Sequence, residues 1–293
     1  MTAKICLNMI VKNESKNILR CLRSVKSTID CWAITDTGST DGTQELILDF
    51  FRSRNIPGYL YRHTFVDFSN ARNQALANAE DSNLEFDYHL LVDADMVWTG
   101  HLETTDLTAY SYALMQKDKP SGAEYFNIRL VKRGIGATYV GVTHEYIDIG
   151  NCPVPALRGG MFIDFADGAN RPGKFERDIK LLIAEVEKGP YGARSLFYLA
   201  QSYRDDGQLE RAAECYRARL LMGNTWEEER WYAQLMYARL QHQLGNDPDG
   251  LLTKMAHETR PWRREPLQDL ARYYLDKANA ITDTKGDILF LEP

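Results

Sequence analysis

Short apolar runs alternate with amphipathic segments along the N-terminal third of the chain. The runs of strand length cover residues 5–11, 31–35, 58–65 and 86–92. Between the first two runs, Ile18, Leu22 and Val25 recur at helical spacing, which predicts an amphipathic helix. The Ala-rich segment 70–79 predicts another helix, capped by Ser69. This alternation predicts a parallel sheet covered by helices, which binds ligands beyond the carboxyl ends of its strands.

The pattern changes in the middle of the chain. Between residues 107 and 165 the apolar runs are short, and no long helical segment separates them. We expect these runs to extend the sheet with mixed or antiparallel strands. Residues 166–173 are rich in Gly, Asn, Asp and Pro, which predicts a loop. We therefore place one domain at residues 1–168 and a helical region at residues 169–293.

The C-terminal region is helical in pattern and repeats weakly. Ala200 and Gly207 recur as Ala238 and Gly245, at an offset of 38 residues. Residues 194–224 resemble a tetratricopeptide helix hairpin, in which small residues lie where two helices cross closely. An unrelated helical bundle is the alternative, because the spacing of the repeat varies.

Composition narrows the class of protein. The chain has 293 residues, 44% of them hydrophobic, enough for one large or two ordinary domains. A net charge of −6 argues against a general nucleic-acid binder. No apolar run approaches the roughly 20 residues that a transmembrane helix needs, and no signal peptide is evident. The five scattered Cys residues suit reduced thiols. We therefore expect a cytoplasmic protein.

Two carboxylates stand one residue apart at the end of the fourth apolar run. Asp93 and Asp95 follow Val92, with Ala94 between them. If the strand geometry continues, both side chains lie on the same side of the chain. Mg²⁺ and Mn²⁺ favour oxygen ligands, and Mg²⁺ commonly combines one or two carboxylates with substrate phosphates. The pair therefore predicts a divalent metal site at the ligand edge of the sheet.

Four segments match one family in order and rough spacing. They are residues 9–14 (MIVKNE), 36–43 (DTGSTDGT), 69–73 (SNARN) and 92–95 (VDAD). With them, the chain from residue 5 to about residue 150 resembles the family 2 glycosyltransferases. The resemblance implies the GT-A fold, a Rossmann-like α/β nucleotide-sugar domain with a mixed sheet. Residues 141–145 (GVTHE) and the helical tail resemble a bacterial and phage subgroup that includes enzymes that glycosylate peptide cysteines.

The resemblance implies which residues hold the nucleoside of a nucleoside-diphosphate sugar. The segment with Val11, Asn13 and Glu14 would lie against the nucleoside. Asn13 could instead, or also, cap the next helix. Asp36 would accept an N–H group of a uracil or guanine base, unless it only stabilises the turn that follows it.

The resemblance extends to the helix and the loop that follow. Arg72 would face the base or the phosphates, which suits the fixed fork of guanidinium donors, or it would form a surface salt bridge. Phe68 would pack beside the base or in the core, and Ala94 would lie along the bound nucleotide-sugar.

The resemblance also implies a metal and catalytic set. Asp95 would bind Mn²⁺ or Mg²⁺, and Asp93 would contact the ribose or the sugar. His144 would be a further metal ligand, although a lone histidine can also be structural. Glu145 would take the proton of the acceptor or pair with a cation. The metal would neutralise the charge that develops on the diphosphate leaving group.

A basic cluster follows the predicted loop. Arg171, Lys174 and Arg177 lie within seven residues. Arg171 and Lys174 would contact the diphosphate if the loop closes over the site and excludes water. The alternative is a solvated linker followed by the exposed face of a helix.

We therefore expect a metal-dependent glycosyltransferase, with UDP-glucose as the favoured donor on the resemblance alone. The acceptor would be a glycan, a peptide or a small molecule, and the helical region would bind it or form a homodimer. Two alternatives stay open. One is a nucleotidyltransferase, but residues 9–15 lack its Gly-rich basic loop. The other is a degenerate transferase that serves as a helical-repeat scaffold, against which Asp93, Asp95 and His144 argue.

Overall fold

The chain folds as an α/β unit followed by a helical unit. The computed structural model describes residues 2–168, 173–188, 192–223, 226–260 and 262–284. The two units are Met1–Lys174 and Phe175–Pro293.

The first unit contains one eight-stranded mixed sheet and a two-stranded ribbon. The strands are β1 Ile5–Val11, β2 Cys31–Asp36, β3 Gly58–Arg62, β4 Tyr88–Leu91, β5 Met96–Gly100, β6 Ser111–Asp118, β7 Glu124–Lys132, β8 Thr138–Val140, β9 Tyr146–Asp148 and β10 Ala156–Asp164. The order in the large sheet is β3-β2-β1-β4-β7-β6-β10-β5, and β8 pairs with β9. The first four strands are parallel, whereas β7 is antiparallel to both β4 and β6.

Three helices cover the parallel strands, and the alternation of side chains along β1 explains how. The helices are α1 Ile18–Val25, α2 Thr43–Arg52 and α3 Phe68–Glu80. Leu7 and Met9 belong to the same buried cluster as the apolar residues of α1 and α2. On the other face, the side chain of Asn8 donates to Ala75 O in α3 (2.8 Å). Because successive strand residues face opposite sides, β1 is buried on both faces.

The start of α3 differs from the prediction. The helix begins at Phe68, and Asp67 rather than Ser69 is its N-cap, because the Asp67 carboxylate accepts from Asn70 N (2.7 Å). Ser69 donates its hydroxyl to the same carboxylate (2.8 Å). An aspartate and a serine are almost equally good caps, so sequence preference alone does not separate them.

In the part that the structure describes, the second unit contains helices joined by turns and no strand. Its helices are α4 Lys174–Lys188, α5 Gly192–Asp205, α6 Leu209–Leu221, α7 Glu227–Gln243, α8 Asp249–Lys254 and α9 Glu265–Thr284. A π-helical turn, Met255–Thr259, follows α8. No helix among the described residues is long and apolar enough to cross a bilayer.

The ends of α5 and α7 repeat one another in structure. Gly207 and Gly245 follow these helices with left-handed φ angles of 80° and 77°. At the first end, Gln208 N donates to Tyr203 O, and at the second Asn246 N donates to Gln241 O, both at 2.8 Å. These bonds join residues five apart, as in the Schellman motif that ends many helices at glycine. The repeat therefore includes the backbone geometry, while the tetratricopeptide assignment stays a prediction.

The predicted α/β architecture is confirmed: an α/β unit with a mixed sheet precedes a helical region. One strand is missing from the prediction. β5 directly follows the Asp93–Asp95 segment and pairs antiparallel with β10, which places it at an edge of the sheet.

Candidate functional site

The loops after β1 and β2 are joined by hydrogen bonds between side chains and backbone. Ser39 Oγ accepts from Asn13 N, and Asn13 Oδ1 accepts from Thr40 N, both at 2.8 Å. Asn13 has a φ of 56°, a conformation that asparagine tolerates better than most residues. The N-cap of α1 is Asn17, so the alternative that Asn13 caps this helix is wrong. Asn13 instead holds the two loops at the ligand edge together.

Asp36 is the last residue of β2 and is almost fully buried. Its Oδ1 accepts from Gly38 N, Ser39 N and the side-chain Nε2 of Gln44, all at 2.9 Å. Its Oδ2 is also buried, and no donor among the described residues reaches it. Asp36 lines a cavity of about 650 Å³. Val11 pairs with Asp36 across the sheet and is buried, so only its backbone could contact a ligand.

Asp93 lies between two arginines. Arg72 Nη2 contacts its Oδ1 at 2.6 Å, and Arg129 Nη1 contacts its Oδ2 at 3.1 Å. Burial alone would raise the pKa of the Asp93 carboxyl, but the two guanidinium groups more than offset it and hold the pKa well below its usual range. Asp93 is therefore ionised at neutral pH.

Glu145 joins the same network through Arg72. The Arg72 Nε donates to Glu145 Oε1 at 2.5 Å, so one guanidinium bridges Asp93 and Glu145. Tyr139 in β8 lies 5.4 Å from the Arg72 guanidinium, measured to the ring centre. These four side chains, together with Arg129, line a second cavity of about 320 Å³.

Asp95 lies near a different set of groups. It is 9% exposed, and its Oδ2 accepts from Gly168 N at 3.1 Å. The pKa of the Asp95 carboxyl is raised to about 6. Burial is the main cause, and the negative charges of Asp93 and Asp164 add to it. A β-carbon at Gly168 would lie 3.0 Å from both carboxylate oxygens of Glu14, so Glu14 is also close. A bound cation would relieve this concentration of negative charge.

The segment that ends at Gly168 is held over Asp95 by Arg20. Arg20 contacts both carboxylate oxygens of Asp167, at 2.8 and 2.6 Å, which is the strong bidentate geometry. The Arg20 guanidinium and the Lys119 ammonium lie 4.2 and 3.9 Å from the ring centre of Phe165. The backbone N–H of Phe165 donates to Asp95 O at 3.3 Å.

The predicted metal ligands are Asp95 and His144. No three His, Cys, Asp or Glu residues in the described ranges are placed to form a metal cluster. His144 is exposed and has a left-handed φ of 51°. Asp95 and the acidic groups near it fit a hard cation such as Mg²⁺ or Mn²⁺ in chemistry. The metal roles of Asp95 and His144 stay predictions.

The remaining predicted residues lie in several places. Phe68 begins α3 and stacks edge-on against Phe65 with ring centres 5.2 Å apart, whereas Ala94 is buried. Lys174 begins α4, and Arg177 contacts the carboxylate of Asp178 at 2.8 Å. Arg171 lies outside the described residues.

Three residues of the network have no place in the sequence prediction: Arg129, Gln116 and Tyr139. Arg129 is 7% exposed, and its Nη2 donates to Gln116 Oε1 at 2.8 Å. A charged residue between Ile128 and Leu130 in an apolar strand is a usable signal, because arginine is rarely buried without a partner. Asp164, at the end of β10, is a fourth such residue.

A family model for glycosyl transferase family 2 matches residues 6–105. Over these residues the chain is similar to glycosyl transferase family 2. The match covers β1 to β5, including Asp36, Arg72, Asp93 and Asp95, and confirms the predicted family resemblance.

Curated relatives match a similar length of chain. A TPR repeat-containing protein of Synechococcus elongatus is 34% identical over 129 residues, covering 43% of this chain and 27% of that protein. The SPbeta prophage-derived glycosyltransferase SunS of Bacillus subtilis is 35% identical over 98 residues, covering 33% of this chain and 21% of SunS. The matches thus span only 27% and 21% of the lengths of these two relatives.

Solved structures of S. aureus TarS resemble the chain distantly. TarS 1–349 has a TM-score of 0.36 and 12% identity, covering 94% of this chain and 92% of that one. TarS 1–349 in complex with UDP has a TM-score of 0.38 and 13% identity, covering 92% and 89%. Similarities this low do not bear on function.

Proposed function

We propose that this protein is a glycosyltransferase that moves a sugar from a nucleoside-diphosphate sugar to an acceptor. The observation that supports it most is the position of Asp36, Asp93 and Asp95 in the family 2 domain. All three lie at the carboxyl ends of β2 and β4, which flank β1 in the parallel sheet. This is the edge at which open α/β sheets bind ligands. UDP-glucose is the first donor to test, on the family resemblance.

In the proposed site, the nucleobase of the donor would lie at Asp36. The sugar of the donor would lie near Asp95 and Glu145. Asp95 would hold Mn²⁺ or Mg²⁺, with Glu14 and Asp164 near it and His144 as a predicted further ligand. A bound metal would stabilise the negative charge of the leaving diphosphate. Arg72 orients Glu145 and Asp93 in fixed relation through its two hydrogen bonds.

Glu145 is the proposed general base. Its carboxylate lines the 320 Å³ cavity beside Asp93, where an acceptor hydroxyl or thiol could approach it. The hydrogen bond from Arg72 Nε fixes the position of Glu145 Oε1. The proton of the acceptor would pass to this carboxylate as the acceptor atom attacks the anomeric carbon.

The roles of the two units are also part of the proposal. Residues 1–168 would bind the donor, and the helical region from residue 169 would bind the acceptor or a second copy of the chain. Arg171 and Lys174, at the start of the helical region, would contact the diphosphate.

The test is a panel of nucleotide-sugars incubated with the full chain and Mn²⁺, in which release of the nucleoside diphosphate is measured. We expect hydrolysis or transfer with at least one donor. Glu145→Gln should lower kcat by about 100-fold or more while the donor still binds. Glu124 on β7 forms an exposed ion pair with Lys117 on β6. Glu124→Gln is therefore the matched control and should keep the native rate. Donor binding without turnover would favour the scaffold, and an unchanged kcat in Glu145→Gln would exclude this base.

A further inference from the structure

Part of strand β7 has a partner strand on one side only. β6 pairs with β7 from Glu124 to Val131, whereas β4 pairs with it only from Leu130 to Lys132. No strand among the described residues pairs with Tyr125–Ile128 on the side of β4, and we call these four residues the open edge. Arg129, the extra residue of a β-bulge, ends the β4 ladder, because its Nη1 donates to Leu91 O at 3.4 Å.

The open edge has backbone groups that point away from β6. In an antiparallel ladder, alternate residues exchange both backbone hydrogen bonds with the partner strand. Asp118 N donates to Ala123 O at 2.9 Å, which places residues 123, 125 and 127 in the bonded set. Phe126 and Ile128 therefore turn their N–H and C=O groups toward the open side. Unpaired groups of this kind are a template for another extended chain.

The side chains of the open edge do not protect it from pairing. Natural proteins commonly protect a strand edge with charged residues or proline. The sequence of the open edge is Tyr-Phe-Asn-Ile, which contains neither. Tyr125 and Phe126 are 45% and 40% exposed. Neighbouring strand residues face opposite sides of a sheet, so an added strand would gain an aromatic contact on each face.

The open edge leads into the cavity that contains the proposed general base. Asn127 and Ile128 line the 320 Å³ cavity together with Asp93 and Glu145. Strand residues advance by about 3.3 Å each, so Phe126 lies about 7 Å along the strand from Ile128. A chain paired with Phe126 therefore reaches the cavity within about two residues.

We propose that the open edge binds an extended polypeptide acceptor by strand addition, with the nucleophilic side chain of the peptide in the 320 Å³ cavity. A second extended backbone matches alternating N–H and C=O groups at strand spacing, and the hydroxyl groups of a glycan do not repeat in this way. A peptide is therefore the class of acceptor that fits this edge. The inference rests on the proposed function and specifies its acceptor.

The reaction at this site joins the sugar to a Cys or Ser side chain of the peptide. The Sγ or Oγ atom forms a bond to the anomeric carbon. The bond from that carbon to the diphosphate breaks, and its electron pair leaves with the diphosphate. The proton of the nucleophile passes to Glu145. The helical region would bind parts of the acceptor that lie farther from the nucleophile.

The first test uses the unaltered full chain, a radiolabelled donor and an arrayed library of heptapeptides with a central Cys or Ser. Transfer to the best peptides should exceed transfer to N-acetylcysteine amide and N-acetylserine amide by about tenfold or more, because these amides lack a strand backbone. Donor hydrolysis without transfer to any peptide, or transfer to the amides or to oligosaccharides at the same rate, would overturn the inference and leave the proposed function intact. If no donor releases its nucleoside diphosphate, the proposed function fails as well.

The second test uses the best heptapeptide with methylated backbone nitrogens. One version carries N-methyl groups on the two residues that flank the nucleophile, and the other carries them on the next residue outward on each side. The nucleophile fixes the register, so only one of these sets points its N–H groups at the open edge. That version should lose about tenfold or more in kcat/KM, and the other should stay within about threefold of the parent peptide. Equal effects of the two versions would contradict strand addition.

The third test changes the open edge itself. Phe126→Pro removes an outward N–H group while β6 keeps its bonds, a change that edge positions tolerate. Phe126→Asp removes the aromatic contact and adds a charge. In both variants the ratio of peptide transfer to donor hydrolysis should fall about tenfold or more, which a general loss of stability does not produce. Tyr110→Asp is the matched control. Tyr110 is 52% exposed at the other end of the β6–β7 ladder, where its carbonyl oxygen accepts from Lys132 N, and the ratio should stay native.

A second copy of the chain is the competing occupant of the open edge. Two copies paired at this edge would elute as a dimer, and Phe126→Asp would convert the dimer to a monomer. That result, together with a native ratio of peptide transfer to donor hydrolysis, would assign the edge to self-association and overturn the inference. A native ratio in both Phe126 variants overturns it whatever the elution.

Discussion

Three carboxylates of the site differ in how many ion pairs and hydrogen bonds they receive from the protein. Asp93 has an arginine on each oxygen, whereas Asp36 keeps one oxygen without a donor from the described residues. Asp95 has one backbone N–H group and two negative neighbours, Asp93 and Asp164. Asp93 is thus held in place by its ion pairs, whereas the carboxylates of Asp95 and Asp36 receive no arginine partner among the described residues.

Asp95→Asn should make the metal-free protein more stable. The carboxylate is buried beside other carboxylates, which raises its pKa to about 6, so its charge opposes folding at neutral pH. An amide of the same shape removes that charge. We expect the thermal midpoint of the metal-free variant at neutral pH to rise by about 2 °C or more.

The same variant should lose the stabilisation that Mn²⁺ gives the native protein, because the proposed ligand is gone. Asp49→Asn, at an exposed pair with Arg52, is the control and should change neither the midpoint nor the Mn²⁺ response. If Mn²⁺ stabilises Asp95→Asn as much as the native chain, Asp95 does not bind the metal.

Arg129→Met should destabilise the α/β unit. The change removes a buried cation from Asp93 and a donor from Gln116 and leaves both short of a partner. Breaking a buried pair in this way costs about 3 kcal/mol. Arg129→Lys should recover little of the lost stability, because one ammonium group does not reproduce the planar fork that contacts both residues.

Urea unfolding measures the loss of stability. Arg52→Met, at an exposed arginine, is the control and should fall within about 0.5 kcal/mol of the native protein. A native midpoint for Arg129→Met would mean that water replaces these contacts.

At the scale of helices, the ends of α5 and α7 depend on glycine. Gly207→Ala and Gly245→Ala place a β-carbon at φ angles of 80° and 77°, which should cost about 1 kcal/mol each. Gly250→Ala is the matched control, because Gly250 lies inside α8 and an added β-carbon would meet no atom within 4 Å. It should stabilise the helical unit by up to about 1 kcal/mol. Unfolding followed by far-ultraviolet circular dichroism measures both signs, and equal effects at the three glycines would contradict the repeated helix end.

The elements that are best predicted from the sequence are those with a local signal. The strands β1 to β4 and the helices α1 to α3 follow from the period of their apolar residues, which burial on the sheet imposes. β5 is different, because Val97 and Trp98 are strand residues only through pairing with Phe162 and Ile163. That partner lies far along the chain, and a run of five residues is too short for its β-branched and aromatic residues alone to define a strand.

The candidate site follows the same rule. Asp36, Asp93 and Asp95 are predictable because each stands at the end of an apolar run and belongs to a matching motif. Arg129 and Gln44 are not, because their roles depend on contacts with Asp93 and Asp36 made across the fold. The pairing of Glu145 with Arg72 likewise depends on where β8 and β9 lie.

At the scale of the whole molecule, each of the two units contains buried residues of its own. The main apolar cluster of the first unit runs from Ile5 to Phe162. In the second unit, buried alanines such as Ala200 and Ala238 lie in the packed helices α5 and α7. A unit with its own core can in principle fold alone. The donor and acceptor roles should therefore be separable by truncation.

A fragment of residues 1–174 should keep the sheet and all the donor contacts discussed above except any made by α4. It should bind UDP within about threefold of the full chain, because a change of this size is below 1 kcal/mol. Transfer to the natural acceptor should fall much further than donor hydrolysis if the helical region binds the acceptor.

The fragment must first elute as a single species with native circular dichroism, since removal of the helices can expose an apolar face. Transfer by this fragment at the rate of the full chain would exclude an acceptor role for the helices. A full chain that elutes as a dimer, beside a monomeric fragment, would assign them to self-association instead.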